Sequence, residues 1–260
     1  MLRTLNATRY VTPLREGGSL PAIVEAEDCG LYVVKFRGAG QGLRALIAEL
    51  VAGELARVVG LNVPELVLME LDPVLGRSEP DAEIRDLLKQ SGGLNVALDY
   101  LPGSLTFDPL AGPLPSAELA SRIVWLDSLV TNVDRTAKNP NLLTWHRGLW
   151  LIDHGAALYF HHDWEDYLAR AASPFSPIKD HVLLPYAGEL EAVDAALKTT
   201  LTPEVLRAAV DNIPGEWLGK DVPFASVEAH RAAYVRYLEH RLAASPLFVA
   251  EAVRARSQLV

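Results

Sequence analysis

The stretch NVDRTAKNPNLLTWHRGLWLIDHG, from Asn132 to Gly155, decides the predicted fold because it places two acids and one amide around a short hairpin. Asp134 and Asn139 stand five residues apart in a turn-like segment, and Asp153 ends the second arm of the hairpin. The arms NLLTWH and GLWLID are rich in strand-forming residues and are separated by a polar turn. Carboxylate and amide oxygens are ligands that magnesium prefers. The segment therefore predicts a site for a nucleotide with its magnesium ions.

The residues before this segment predict a β-rich region with one helix. PAIVEAED and GLYVVKFRG alternate apolar and polar residues around a polar EDCG turn, which indicates a hairpin. LRALIAELVAGELARVVG follows with apolar residues at helical spacing. LNVPELVLMEL and GGLNVALDYLPG predict two further strands. Residues 104–118 are loop-like and contain three prolines.

Helical patterns dominate the rest of the chain. SAELASRIVWLDSLVT predicts a helix with Ser116 as its N-cap, and ELEAVDAALKTT, TPEVLRAAVDNI and VEAHRAAYVRYLEHRLAA predict three more. We therefore predict an α+β fold. Residues 1–100 are expected to form a small N-lobe with an antiparallel sheet and one helix, and residues 101–260 a larger, mainly helical C-lobe.

Composition narrows the function classes. The chain has 260 residues, half of them apolar, and a net charge of −9. That charge disfavours nucleic acid as a direct partner, because a phosphate backbone would be repelled. Cys29 is the sole cysteine, which excludes an internal disulfide and a cysteine zinc site. The sequence has neither a signal-peptide pattern nor an apolar run of membrane-spanning length, so we expect a cytoplasmic protein without a membrane partner.

The candidate residues occur in the order that protein-kinase folds use: glycine loop, strand lysine, helix glutamate, catalytic loop and metal-binding aspartate. The matching residues are Gly17, Gly18 and Ser19, then Lys35, then Glu49 or Glu54, then Asp134 with Asn139, and finally Asp153 two residues before Gly155. Each part is common by itself. Their order, with the expected strands and helices between them, favours a two-lobed protein-kinase-like fold.

The helix glutamate has two candidates. On a helical wheel Glu54 falls near the middle of the apolar stripe, whereas Glu49 falls at its edge. A charge on a buried face needs a partner, and Lys35 suits either glutamate. Wheel position alone slightly favours Glu54.

Three segments carry a family resemblance. NVDRTAKN, LWLIDHG and ELVAGELARVVGLNVPE resemble HipA-family kinases, the serine/threonine kinases found as toxins in bacterial toxin–antitoxin modules. The pattern is most similar to the compact HipA-like group that lacks an extra N-terminal subdomain. The resemblance covers residues 15–160 and implies an ATP- and Mg²⁺-dependent phosphotransferase, with a serine or threonine of a protein as the expected acceptor.

The resemblance also implies residue roles. Asp134 matches the catalytic base, Asn139 and Asp153 match the magnesium ligands, and Lys35 matches the nucleotide lysine. Glu49 matches the helix glutamate by its distance from Gly60, against the preference of the helical wheel. The glycine loop of Gly17, Gly18 and Ser19 is expected at the phosphates, and the backbone of Leu98, Asp99 and Tyr100 near adenine.

The chain departs from the family at two places. Thr136 stands where the toxins carry histidine, and only residues 1–16 precede the glycine loop. The family resemblance implies a toxin role with an antitoxin-type partner as one expectation. A small-molecule kinase of the same fold and an ATP-binding pseudokinase are the alternatives, and the phosphoacceptor is either a protein or a small molecule.

Several other polar residues have structural interpretations. Asn132 and Asp127 are expected to brace the catalytic turn, and His181 to be a structural histidine. Arg135 and Lys138 either neutralise transferred phosphate or are solvated loop charges.

Overall fold

A computed structural model describes residues 2–14, 20–40, 42–77, 79–220 and 222–259, and its first part is a five-stranded barrel. The barrel strands, in chain order, are β1 (Thr4–Pro13), β2 (Ala22–Ala26), β3 (Leu31–Lys35), β4 (Leu66–Leu71) and β5 (Gly93–Asp99). They are arranged β1-β2-β3-β5-β4, and the parallel pairing of β1 with β4 closes the barrel. The predicted β2–β3 hairpin is confirmed, whereas β1 was not predicted.

Apolar side chains fill the barrel because alternate residues of each strand point inward. Val24, Val34 and Met69 are fully buried in this core. The helix α2 (Ala82–Gln90) begins at the capping residue Asp81 and adds Ile84 to the same core. The prediction of an antiparallel sheet with one helix is therefore wrong in two respects: the sheet closes through a parallel pair, and a second helix covers its core.

The helix α1 (Leu43–Val58) joins the outside of the barrel to the helical part of the chain. Its buried residues belong to the larger core, which also includes most of the C-terminal helices. Gly53 permits close packing on β4, because a Cβ at this position would lie 2.6 Å from a methyl group of Leu66. This packing fixes the helix that carries Glu49 against the barrel.

The predicted hairpin formed by NLLTWH and GLWLID is confirmed. The strands β6 (Leu105–Thr106), β7 (Leu142–Trp145) and β8 (Gly148–Leu151) form a three-stranded sheet. β6 lies within the stretch expected to be loop. The amide of Leu151 donates to the carbonyl of Asn62, at 2.8 Å, and so ties the hairpin to the turn after α1.

The remaining elements are helices. They are α3 (Ala117–Leu129), α4 (Tyr167–Ala171), α5 (Leu190–Thr200), α6 (Pro203–Asp211), α7 (Val227–Ala243) and α8 (Ser245–Arg256). Ser116 caps α3 by accepting a hydrogen bond from the amide of Leu119, as predicted. The predicted helices α3, α5, α6 and α7 are confirmed. Within the described ranges, no helix combines the length and apolar composition needed to cross a bilayer.

Candidate active site

A cavity of about 880 Å³ lies between the barrel and the β7–β8 hairpin. Its lining includes Thr12, Pro13, Leu14, Pro21, Val33, Lys35, Pro64, Leu98, Asp99, Tyr100 and Leu101 on one side and Ser104, Thr106, Asn139, Pro140, Asn141, Leu142, Leu143, Ile152 and Asp153 on the other. The cavity is large enough for a nucleotide-sized ligand. Six of the eight site residues predicted in the described ranges line this space, whereas Glu49 and Asp134 do not.

Lys35 and Asp153 meet across this cavity. Lys35 Nζ lies 2.8 Å from Asp153 Oδ2, and the side chains are 12% and 40% exposed. Burial disfavours the charge of Lys35, but the nearby carboxylates of Glu49, Asp153 and Asp134 outweigh it and raise its pKa. Three acids from separate parts of the sequence thus act on one ammonium group.

Glu49 is buried near Lys35 but does not line the cavity. Its side chain is 1% exposed, and neither carboxylate oxygen has a hydrogen-bond partner among the described residues. Burial raises the pKa of Glu49 to about 7, although Lys35 favours the charged form. The amide of His154 also favours that form without reaching hydrogen-bonding geometry.

The predicted contact between Lys35 and the helix glutamate is not formed in this structure. Lys35 pairs with Asp153 at 2.8 Å, whereas Glu49 forms no ion pair in the described residues and acts on Lys35 through its charge alone. Glu54, the candidate favoured by the helical wheel, instead pairs with Arg57 at 3.6 Å and accepts from Asn212 at 3.5 Å. The geometry thus brings Glu49, not Glu54, to the site.

Three asparagine side chains near Asp134 in the sequence hold it in place. Asn132 Oδ1 accepts the amide of Asp134 at 3.1 Å, which confirms that Asn132 braces the turn. Asn139 Nδ2 donates to Asp134 Oδ2 at 2.8 Å, and Asn141 Nδ2 approaches the same oxygen at 3.4 Å. This arrangement fixes the carboxylate and leaves the Oδ1 atom of Asn139 without a partner in the described chain.

The backbone at Asp153 adopts an uncommon conformation. Its φ is 55°, in the left-handed region that non-glycine residues seldom occupy. Two residues later, a Cβ at Gly155 would lie 3.6 Å from the Cβ of Ala45 in α1. Strained backbone of this kind is concentrated at functional sites, where the surrounding structure supports it.

The side chains fit a hard divalent cation. Asn139 and Asp153 both line the cavity and offer amide and carboxylate oxygens, the ligands that Mg²⁺ takes. The buried oxygens of Glu49 add further negative potential. The described residues contain no cluster of three or more His, Cys, Asp or Glu side chains suited to a metal.

Leu98, Asp99 and Tyr100, at the end of β5, line the cavity, and so does the next residue, Leu101. Leu98 lies inside the ladder, paired with Val33 and Leu66. The amides of Asp99 and Tyr100 donate to the carbonyls of Glu65 and Leu31, both at 2.9 Å. The amide of Leu101 is the next along the chain, and it has no acceptor in the described residues. Leu101, which the sequence did not single out, therefore offers a backbone donor at the cavity.

Gly17, Gly18 and Ser19 lie outside the described residues. The flanking residues Leu14 and Pro21 both line the cavity, and the amide of Leu14 donates to the carbonyl of Pro21 at 2.7 Å. The β1–β2 connection therefore starts and ends at the edge of the site.

The sequence did not predict that Arg135, Asp127 and His181 form a buried cluster next to Asp134. Arg135, expected to be a solvated charge or a phosphate contact, is 1% exposed and pairs with Asp127 at 2.6 Å. His181 Nε2 lies 2.9 Å from Asp127 Oδ2, so its structural role is confirmed. The charge of Arg135 suggested solvent, and only the folded chain shows that Asp127 neutralises it.

Comparisons with known proteins bear on the family and the fold. The family model described as HipA-like kinase matches residues 8–243. The crystal structure of the Helicobacter pylori proinflammatory kinase CtkA is similar over 99% of both chains, with a TM-score of 0.59 and 14% identity. This likeness shows that the α+β fold is kinase-like.

Two structures of the Golgi casein kinase are more distant. One has a TM-score of 0.46 and 12% identity over 94% of this chain and 73% of that one. The other, described with Mn/ADP bound, has a TM-score of 0.45 and 12% identity over 93% and 72%. No curated protein sequence matches the chain.

Proposed function

Because this chain belongs to the HipA-like kinase family, we propose that its cavity is the catalytic site of an ATP- and Mg²⁺-dependent phosphotransferase. The observation that carries the proposal is the 2.8 Å ion pair of Lys35 with Asp153 in a cavity that Asn139 also lines. We further propose that the barrel side, residues 1–100, binds the nucleotide as an N-lobe, and that residues 101–260 supply the catalytic loop as a C-lobe.

The barrel residues hold and orient the nucleotide in this proposal. The ammonium group of Lys35 neutralises phosphate oxygens, and Glu49 stabilises its charge from behind. The amide of Leu101 and the nearby backbone at Asp99 and Tyr100 bind the base. Gly17, Gly18 and Ser19 are proposed to cover the phosphates, since glycine permits close approach of backbone amides.

Asn139 and Asp153 would hold Mg²⁺, which neutralises phosphate charge when it is bound. Asp134 accepts the proton of the acceptor hydroxyl, and its carboxylate is held ready by Asn139 and Asn141. Most of the rate acceleration then comes from positioning and fixed charge rather than covalent chemistry by the chain.

A serine or threonine of a protein is the proposed acceptor, on the strength of the family. An incubation of cell lysate with γ-labelled ATP tests this, with Asp134→Asn as the inactive reference. We expect a labelled protein band that depends on Asp134. A labelled metabolite instead would support a small-molecule kinase, and nucleotide binding without any transfer would contradict the proposed activity.

Asp134→Asn is expected to lower ATP turnover by at least about 10²-fold, because the carboxamide cannot accept the proton. The fold should be retained, since Asp134 is only partly buried and Asn preserves its shape. Steady-state kinetics and circular dichroism on the same preparation check both statements. Wild-type turnover in a folded mutant would remove Asp134 from the mechanism.

A further inference from the structure

Arg135 connects both halves of the candidate catalytic site although it does not line the cavity. Its Nε atom donates to Asp127 Oδ2 at 2.6 Å, and Nη1 donates to the carbonyls of Asn141 and, at 3.3 Å, Ile152. Nη2 donates to His154 Nδ1 at 3.3 Å. One planar guanidinium thus contacts four separate places in the chain.

Three of these contacts, at Asn141, Ile152 and His154, lie next to the proposed reacting groups. Arg135 follows Asp134 directly, and Asn141 contacts the Asp134 carboxylate. Ile152 and His154 are the two neighbours of Asp153. The guanidinium therefore spans the distance between the proposed catalytic base and the proposed metal ligand, while touching neither carboxylate.

Asp127 and His181 hold the guanidinium from behind. Asp127 accepts from Arg135, from His181 Nε2 at 2.9 Å and from Asn132 Nδ2 at 3.1 Å. The amide of Leu183 donates to His181 Nδ1 at 3.0 Å, so His181 carries its proton on Nε2 and is neutral. Burial opposes the charge of Asp127, but Arg135 and His181 outweigh it and keep its pKa low.

We propose, resting on the function above, that Arg135 is a positioning residue: held by Asp127 and His181, it sets the separation of Asp134 from Asp153. The inference depends on geometry as well as charge. Lysine at this position keeps the charge but lacks the planar fork, so it cannot serve Asp127, two carbonyls and an imidazole together. Displacement of a catalytic group by about 1 Å can cost about 10²-fold in rate.

Arg241 provides a matched control. It is also buried, at 1% exposure, and it donates to backbone carbonyls of Ser128, Ala171 and Ser173 from helix α7. It contacts no residue of the cavity. Arg241→Lys should therefore reproduce the structural cost of replacing a buried arginine without moving Asp134 or Asp153.

The experiment compares the wild type, Arg135→Lys and Arg241→Lys. It measures kcat and KM for ATP turnover, calorimetric ATP affinity across Mg²⁺ concentrations, and the urea unfolding midpoint. For Arg135→Lys we expect kcat to fall about 10–100-fold relative to Arg241→Lys, with KM for ATP within about threefold. The Mg²⁺ concentration that half-maximally supports ATP binding should rise about tenfold. The two unfolding midpoints should be similarly lowered.

Equal kcat and equal Mg²⁺ dependence in the two folded variants would overturn the positioning role and leave the phosphotransferase assignment intact. Absence of wild-type ATP turnover would instead refute the proposed function, and the inference with it. If Arg135→Lys does not fold, His181→Gln decides: a fall in kcat at unchanged KM supports the role, and wild-type kcat overturns it.

Discussion

Two polar clusters lie beside the segment from Asn132 to Asp153, and they differ in how completely their groups are satisfied. In the first, Asp127 accepts hydrogen bonds from Arg135, His181 and Asn132. In the second, Lys35 has a single close ion pair, with Asp153, and both oxygens of Glu49 have no partner within the described residues. Both clusters contain charges inside the protein, but only in the first does every charged group have a hydrogen-bond partner among the described residues.

The difference separates support from chemistry. A fully paired buried charge is costly to disturb, because removal of one partner leaves the other unpaired. A buried group with unused hydrogen-bonding capacity and a shifted pKa is instead typical of a site that acts on a ligand. In the proposed function, the Asp127 cluster therefore holds the catalytic segment, and the Lys35 cluster binds nucleotide and metal.

Removal of one charge from each cluster should have unequal consequences for stability. Asp127→Asn leaves the Arg135 guanidinium buried without its counter-ion, and we expect a loss of about 3–5 kcal/mol in unfolding free energy. Asp153→Asn removes a carboxylate that is 40% exposed, and we expect a change of at most about 1 kcal/mol. Urea denaturation of both variants measures this contrast. Equal losses would abolish the distinction between the clusters.

Glu49→Gln should change the unfolding free energy by less than Asp127→Asn does, and the change should depend on pH. The folded-state pKa of Glu49 is about 7, above its ordinary value of 4.5, so unfolding releases a proton between these values. The stability contribution of this proton is present below pH 4.5 and is lost as pH rises through 7. Relative to the wild type, Glu49→Gln should gain roughly 1–3 kcal/mol between pH 4.5 and pH 8.

Unfolding midpoints of the wild type and Glu49→Gln at several pH values check the effect of Glu49. Both proteins retain the buried His154, so its titration is common to the two curves. Parallel curves for the two proteins would show that Glu49 titrates normally in the folded state.

Local patterns predicted most of the elements that carry the site. The β2–β3 hairpin, α1, α3 and the β7–β8 hairpin follow from periodicity and turn residues near in sequence. α2 was missed although its signals are present, with Asp81 as N-cap and Ile84, Leu87 and Leu88 at helical spacing. Closure of the barrel depends on pairing β1 with β4, which are far apart in the chain, and no local pattern reports that pairing.

The site was predictable where residue order carries the information, and less so where burial does. The spacing of Asp134, Asn139 and Asp153 is a feature of the sequence itself. The helical wheel favoured Glu54 because it treats a helix as having one buried face, whereas α1 packs between the barrel and the helical core and buries Glu49 as well. Arg135 looked like a surface charge because its partner Asp127 lies on another element.

The central claim is that the Lys35 cluster completes its charge balance with a metal nucleotide. Calorimetric titration of ATP, with Mg²⁺ and with EDTA, into the wild type and Asp153→Asn tests it most directly. We predict that Mg²⁺ tightens wild-type binding by at least about tenfold and that this gain falls to within about twofold in Asp153→Asn. An equal Mg²⁺ effect in both proteins, or none in the wild type, would contradict the assignment of Asp153 and the metal site.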